Sequence, residues 1–172
     1  MFIKMNIILF ISLMLSCYSS TTSGKKVSFA FDGQTYTLPD NVKDLQVKNK
    51  FKYFVYRGFR GQSENYTTVL QLDKNPLWVG SENVDESFYA NKKVVGITFI
   101  QSTAKINLND IQKQIEVNYK KKFTAFENTD YQKLETDEGI IIITSQKKAN
   151  NYISFYFDLK NKDVLEYVKN VW

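Results

Sequence analysis

Five consecutive residues, Ile140-Ile141-Ile142-Ile143-Thr144, constrain this chain more than any other stretch. Neighbouring side chains on a β-strand point to opposite faces, so an unbroken apolar run has no side to offer to water. Such a run belongs at the centre of a sheet, covered on both faces. Branching at Cβ adds a local preference for the extended backbone. Asp137-Glu138-Gly139 precedes the run and a polar turn over residues 147–151 follows it. The flanking segments 131–136 and 152–157 therefore read as its antiparallel neighbours, with Ile153, Phe155 and Phe157 on a common side.

Other segments carry the same signature. Val27, Phe29 and Phe31 alternate with small residues, Asp32-Gly33 follows, and residues 34–38 resume an extended pattern. Asp-Gly readily takes the positive backbone angles of a two-residue hairpin turn. Residues 51–57 are apolar on both faces and pair with residues 66–72 across a long loop, 58–65. Residues 94–100 form a further strand, in which Gly96 marks a bulge or a close backbone approach. Leu108, Ile111, Ile115 and Tyr119 recur at helical spacing after Asn107 as cap, with Asp110 placed to answer it, which predicts a helix over 108–121. A second helix is expected over 163–172, with Val164, Leu165, Val168, Val171 and Trp172 on one side. Residues 42–49 show too little periodicity to assign, and residues 81–93 read as a loop or a short irregular helix around Val84 to Tyr89. The expected class is α+β: one domain over 25–172, an antiparallel sheet built of hairpins, and both helices on one face.

The N-terminus carries an address. Lys4 precedes a nine-residue, largely apolar run, residues 7–15, which is too short to span a bilayer as a helix, where about 20 residues are needed. That layout is an export signal. Met14-Leu15-Ser16-Cys17 resembles the lipobox of bacterial lipoproteins, with methionine where leucine is usual. The resemblance implies a signal peptide over 1–16, acylation of Cys17, a polar tether over 17–24, and a protein exported and lipid-anchored on the periplasmic or cell-surface side of a bacterial membrane. Acyl chains hold at about 0.8 kcal/mol per buried methylene. An ordinary secretory signal with a cysteine near its cleavage site is the alternative.

Composition then narrows the chemistry. The chain has no histidine and a single cysteine, Cys17. The commonest general base and the commonest transition-metal ligand are missing together, and lipidation would consume the only thiol. We expect no cofactor, no metal and no catalytic residue. Paired carboxylates are the remaining route to hydrolysis, from Glu82, Asp85 and Glu86 or from Glu135, Asp137 and Glu138. The formal net charge is +5, spread over scattered lysines, as on a solvated surface, and nucleic acid is not an expected partner of an exported protein. Of 23 basic residues only Arg57 and Arg60 are arginine, and both fall within a short segment with Phe59 and Tyr66. Guanidinium groups fork onto carboxylates or phosphates and stack on rings, so Arg57, Phe59, Arg60 and Tyr66 form a candidate ligand-binding loop. The alternative is an Arg57–Glu64 pair that merely holds the loop. Trp78 and Trp172 read as core or cap residues. The functional expectation is a non-enzymatic, membrane-tethered envelope lipoprotein that binds a protein or small ligand. A small carboxylate hydrolase and an immunity or inhibitor protein are the alternatives.

Overall fold

The computed structural model describes residues 24–54, 58–62, 66–74, 86–127 and 129–171, with backbone alone for 53–54, 58–62 and 170–171. In chain order the elements are β1 (Val27–Phe31), β2 (Gln34–Leu38), β3 (Asp40–Asn41), α1 (Val42–Asn49), β4 (Lys52–Phe54), β5 (Gly58–Gln62), β6 (Thr67–Leu72), α2 (Glu86–Tyr89), β7 (Lys93–Ser102), α3 (Leu108–Tyr119), β8 (Thr124–Ala125), β9 (Gln132–Glu135), β10 (Ile140–Lys147), β11 (Asn150–Phe157) and α4 (Asn161–Val171). The class is α+β. The main sheet runs β4-β5-β6-β7-β11-β10-β9-β8, with the short β3 also on β7, and every pairing in it is antiparallel. The isoleucine run forms β10, and its first six residues, Ile140 to Ser145, are all buried.

The two faces of β10 have different covers. Ile140 and Ile142 join a core with Ile97, Phe99, Ile153 and Phe155 of the sheet, Val42 and Leu45 of α1, Ile111 and Ile115 of α3, and the β1–β2 hairpin. Ile141 and Ile143 join a second core with Val95, Tyr156 and the α4 residues Val164, Tyr167 and Val168. The expectation that both helices share one face is thereby corrected: α3 and α4 lie on opposite faces. The reason is already in the run itself, since Ile141 and Ile143 would otherwise face water. Tyr167 adds a tie by donating its hydroxyl to the Leu72 carbonyl at 2.6 Å.

A second correction concerns residues 58–65, expected as one long loop. Residues 58–62 form β5, paired with β4 on one side and β6 on the other. Its Gly-Phe-Arg-Gly-Gln sequence has no apolar alternation, so the ladders on both sides override its own propensity. Gly96 behaves as expected. The β6–β7 register slips between Gln71, which faces Gly96, and Leu72, which faces Val94. A methyl group at Gly96 would lie 2.2 Å from the Gln71 side-chain oxygen and 2.6 Å from the Tyr156 ring. The bulge and the close approach occur at the same residue.

The β1–β2 hairpin makes a small sheet of its own over the α3 face. Asp32 and Gly33 both have positive φ, 49° and 72°, as a tight hairpin turn requires. Phe29 stacks on Phe155 at 4.3 Å between ring centroids with planes only 7° apart, and Phe31 lies 4.2 Å from Phe99. Between hairpin and sheet, β3 and α1 are anchored by Asp40. Its carboxylate is inaccessible to solvent and accepts from Lys26 at 3.1 Å, Lys48 at 3.0 Å and the Asn41 N–H at 3.0 Å. The α1 start is capped reciprocally: Asn41 Oδ1 accepts from the Asp44 N–H, and Asn41 Nδ2 donates to the Asp44 carboxylate, both at 2.8 Å.

Burial opposes the charge on Asp40, but hydrogen bonds from Lys48, Lys26 and the Asn41 amide outweigh it and hold the carboxyl below its usual range. A depressed folded-state pKa stabilises the fold above the unfolded value, and that stability disappears as pH falls through the folded value. Asp40→Asn should therefore cost about 1–3 kcal/mol at pH 7. The variant should also lose part of the acid-induced drop in melting temperature below about pH 4. Thermal melts of both proteins from pH 2 to pH 7 measure the two effects, and parallel curves would contradict this role for Asp40.

Candidate functional site

A groove of about 400 Å³ opens where the hairpin turn, the sheet and α3 converge. Ala30, Phe31, Asp32 and Gly33 of the hairpin form one wall. The opposite wall is α3, through Ile111, Gln114, Ile115, Asn118 and Tyr119. These positions recur every three or four residues, so a single helical face supplies them. The cap at Asn107, whose side chain accepts from the Asn109 N–H at 2.9 Å, fixes where that face begins. Gln112 of the same helix donates to Thr144 Oγ1 at 2.8 Å and holds α3 against β10. Tyr66, Gln101 and Phe155 form the floor, and Lys105 and Ile106 close one end.

Gln101 is the residue out of keeping with its surroundings. It is 4% exposed, it sits on β7 on the same face as Phe99, and among the described residues its side-chain oxygen has no hydrogen-bond partner. Its cross-strand neighbour Asn151 is fully buried and donates to the Ile106 carbonyl at 2.9 Å, while its own side-chain oxygen is also unpaired. A buried polar atom without a partner costs about 1–3 kcal/mol. Two cross-strand neighbours thus each carry a buried carbonyl oxygen that nothing in the described fold uses, and one of the two residues lines the groove.

Around them the electrostatics are mild. Tyr36 is pushed up to about 12 by burial and by the nearby Asp32 carboxylate. Tyr66 is raised for the same two reasons, and Tyr119 by burial and by Glu138. The phenols at the groove are therefore neutral near pH 7. Among the described residues one carboxylate, Asp32, and one ammonium, Lys105, line it, and their charges balance.

Of the site residues expected from sequence, Tyr66 is the one with a described side chain, and it lies in this groove. Phe59 and Arg60 are placed on β5 by their backbone alone. Arg57 and Cys17 lie outside the described residues, as do Trp78, Trp172, Glu64, Glu82 and Asp85. Glu86 begins α2 and accepts from Gln46. The second acidic group sits in or beside the β9–β10 turn, where Lys121 pairs with Asp137 and Lys133 with Glu135 at the surface. Among the described residues there is no group of three or more Asp, Glu, His or Cys positioned for a metal ion. Sequence reasoning identified the α3 positions Ile111, Ile115 and Tyr119 as apolar face, but missed Gln101, Gln114 and Asn118. Gln114 and Asn118 stand at i and i+4, each one residue ahead of an apolar position, and that spacing was the available signal. The chain matches no protein-family model, no curated protein and no solved structure.

The cost of the unmet amide is measurable. Leucine is apolar and smaller than glutamine by one heavy atom, so it removes the unmet polar group without overfilling the space, and Gln101→Leu should stabilise the ligand-free protein by about 1 kcal/mol. Denaturant unfolding would show a higher midpoint with an unchanged slope. A destabilised variant would mean that the amide is satisfied within the fold.

Proposed function

We propose that this chain is a non-enzymatic, membrane-tethered binding domain whose ligand site is the groove between the β1–β2 turn and α3. The observation that carries the reading is the buried side-chain oxygen of Gln101, without a partner among the described residues, on a residue at the floor of an open groove. A group that costs stability when the site is empty is accounted for by a ligand that pairs with it. The volume of the groove falls within the ~300–1,000 Å³ usual for small-molecule sites, and its mixture of apolar walls with a few polar groups is the usual lining. Among the described residues no helix is long and apolar enough to cross a membrane. The tether is assigned to Cys17 on the lipobox resemblance of Met14-Leu15-Ser16-Cys17 alone.

Two measurements test the two halves of this reading. Replacing Cys17 by serine should move the protein from the membrane fraction to the soluble fraction, and an unchanged distribution would remove the lipid anchor from the account. For the groove, Asn118→Trp places a large ring on an exposed α3 position at its rim. A ligand present at ten times its dissociation constant adds about 1.4 kcal/mol of stability, enough to raise melting by a few degrees. Residues 20–172 should gain that stability in small-molecule extract of the envelope, and the Asn118→Trp variant should not. An equal gain in both would place binding elsewhere.

A further inference from the structure

Resting on the groove as a binding site, we propose that its ligand is a neutral, polyhydroxylated ring, a saccharide unit, held by the Gln101 amide between Phe31 and Tyr119. Three features point to this class. A carboxamide offers a donor and an acceptor in one plane, and adjacent ring hydroxyls answer both at once. The unpaired Gln101 oxygen demands a donor, which hydroxyls supply and a purely apolar ligand does not. Aromatic walls accept the C–H face of a sugar ring, while the exposed amides Gln114 and Asn118 stand at the rim to take outer hydroxyls.

The charge of the groove argues in the same direction. Among the described residues one carboxylate and one ammonium line it and balance, whereas a phosphate or sulfate ligand calls for clustered arginine or lysine. An extended peptide is recognised through a free strand edge. At the floor of this groove Phe155 on β11 is paired on both sides and Gln101 on β7 is paired with Asn151 of β11, while Ala30 and Phe31 of the wall belong to β1, which is paired with β2 alone. Recognition at the floor therefore runs through side chains, and the β1 edge is where an extended peptide would compete.

The test is an NMR titration of ¹⁵N-labelled residues 20–172, a span that retains every described residue. The probes are β-linked trisaccharides of glucose and of N-acetylglucosamine, with the neutral peptide N-acetyl-Ala-Tyr-Ala-amide alongside. Saturable shifts confined to residues 31–33, 101 and 114–119 with either sugar are expected, with affinity in the millimolar range or tighter. Gln101→Leu should weaken binding by about tenfold, the loss of one well-made hydrogen-bond pair, while leaving the rest of the spectrum in place. Shifts in the groove with the peptide alone would overturn the saccharide class and leave the groove standing as a site. Silence of the groove toward all three probes would overturn both. Sugar binding that Gln101→Leu leaves intact would overturn the assigned role of the amide.

Discussion

The structure depends on the aromatic clamp between the β1–β2 hairpin and the main sheet. A two-stranded hairpin is marginal by itself in water and must bury one face to persist. Here it does so through Phe29 flat on Phe155, Phe31 against Phe99, and Tyr36 edge-on to Phe99 at 5.2 Å. Ring pairs of this kind add about 0.5–1.5 kcal/mol each beyond the area they bury. Because the rings lie at alternate positions along β1, the hairpin has a single register on the sheet. The Asp32-Gly33 turn is then held opposite α3, and the space between them is the groove.

The central strands supply the rigid half of this arrangement. β10 is buried on both faces, and β7 and β11 are fixed to each other over seven residue pairs. On the face away from the groove, Gln71 donates to Thr98, whose hydroxyl lies 2.7 Å from that of Ser154. The fully buried phenol of Tyr156 sits beside them, against the bare backbone of Gly96, and burial pushes its pKa up. That polar chain locks the middle of the sheet under α4. A site floored by β7 and β11 therefore rests on the least deformable part of the molecule, which is where preorganised recognition is best placed.

Much of the fold was legible in the sequence wherever period and turn chemistry agreed. The hairpin at Asp32-Gly33, the helix begun by Asn107, the strand broken by Gly96 and the run at Ile140 each had a local cause visible in the residues. What failed had a non-local cause. β5 is a strand because its neighbours pair with it, and nothing in Gly-Phe-Arg-Gly-Gln announces that. α1 has just two buried positions, Val42 and Leu45, too few for a periodic signal, and its stability comes from the Asn41–Asp44 cap and from Asp40. The two-faced burial of Ile140 to Ile143 already required cover on both sides, and placing both helices together overlooked it. For the site, Tyr66 was reached through the arginine cluster. Gln101 was not, because a glutamine inside an apolar strand looks unremarkable until the absence of a partner is seen in three dimensions.

The account stands or falls on whether the hairpin belongs to the cooperative core, since without the clamp there is no groove. Native-state hydrogen exchange measures this residue by residue. The clamp predicts that the slowest amides of β1 and β2 exchange only through global unfolding, with the same free energy as those of β7, β10 and β11. Hairpin amides that exchange through a local opening of low free energy, while the central strands stay protected, would contradict it.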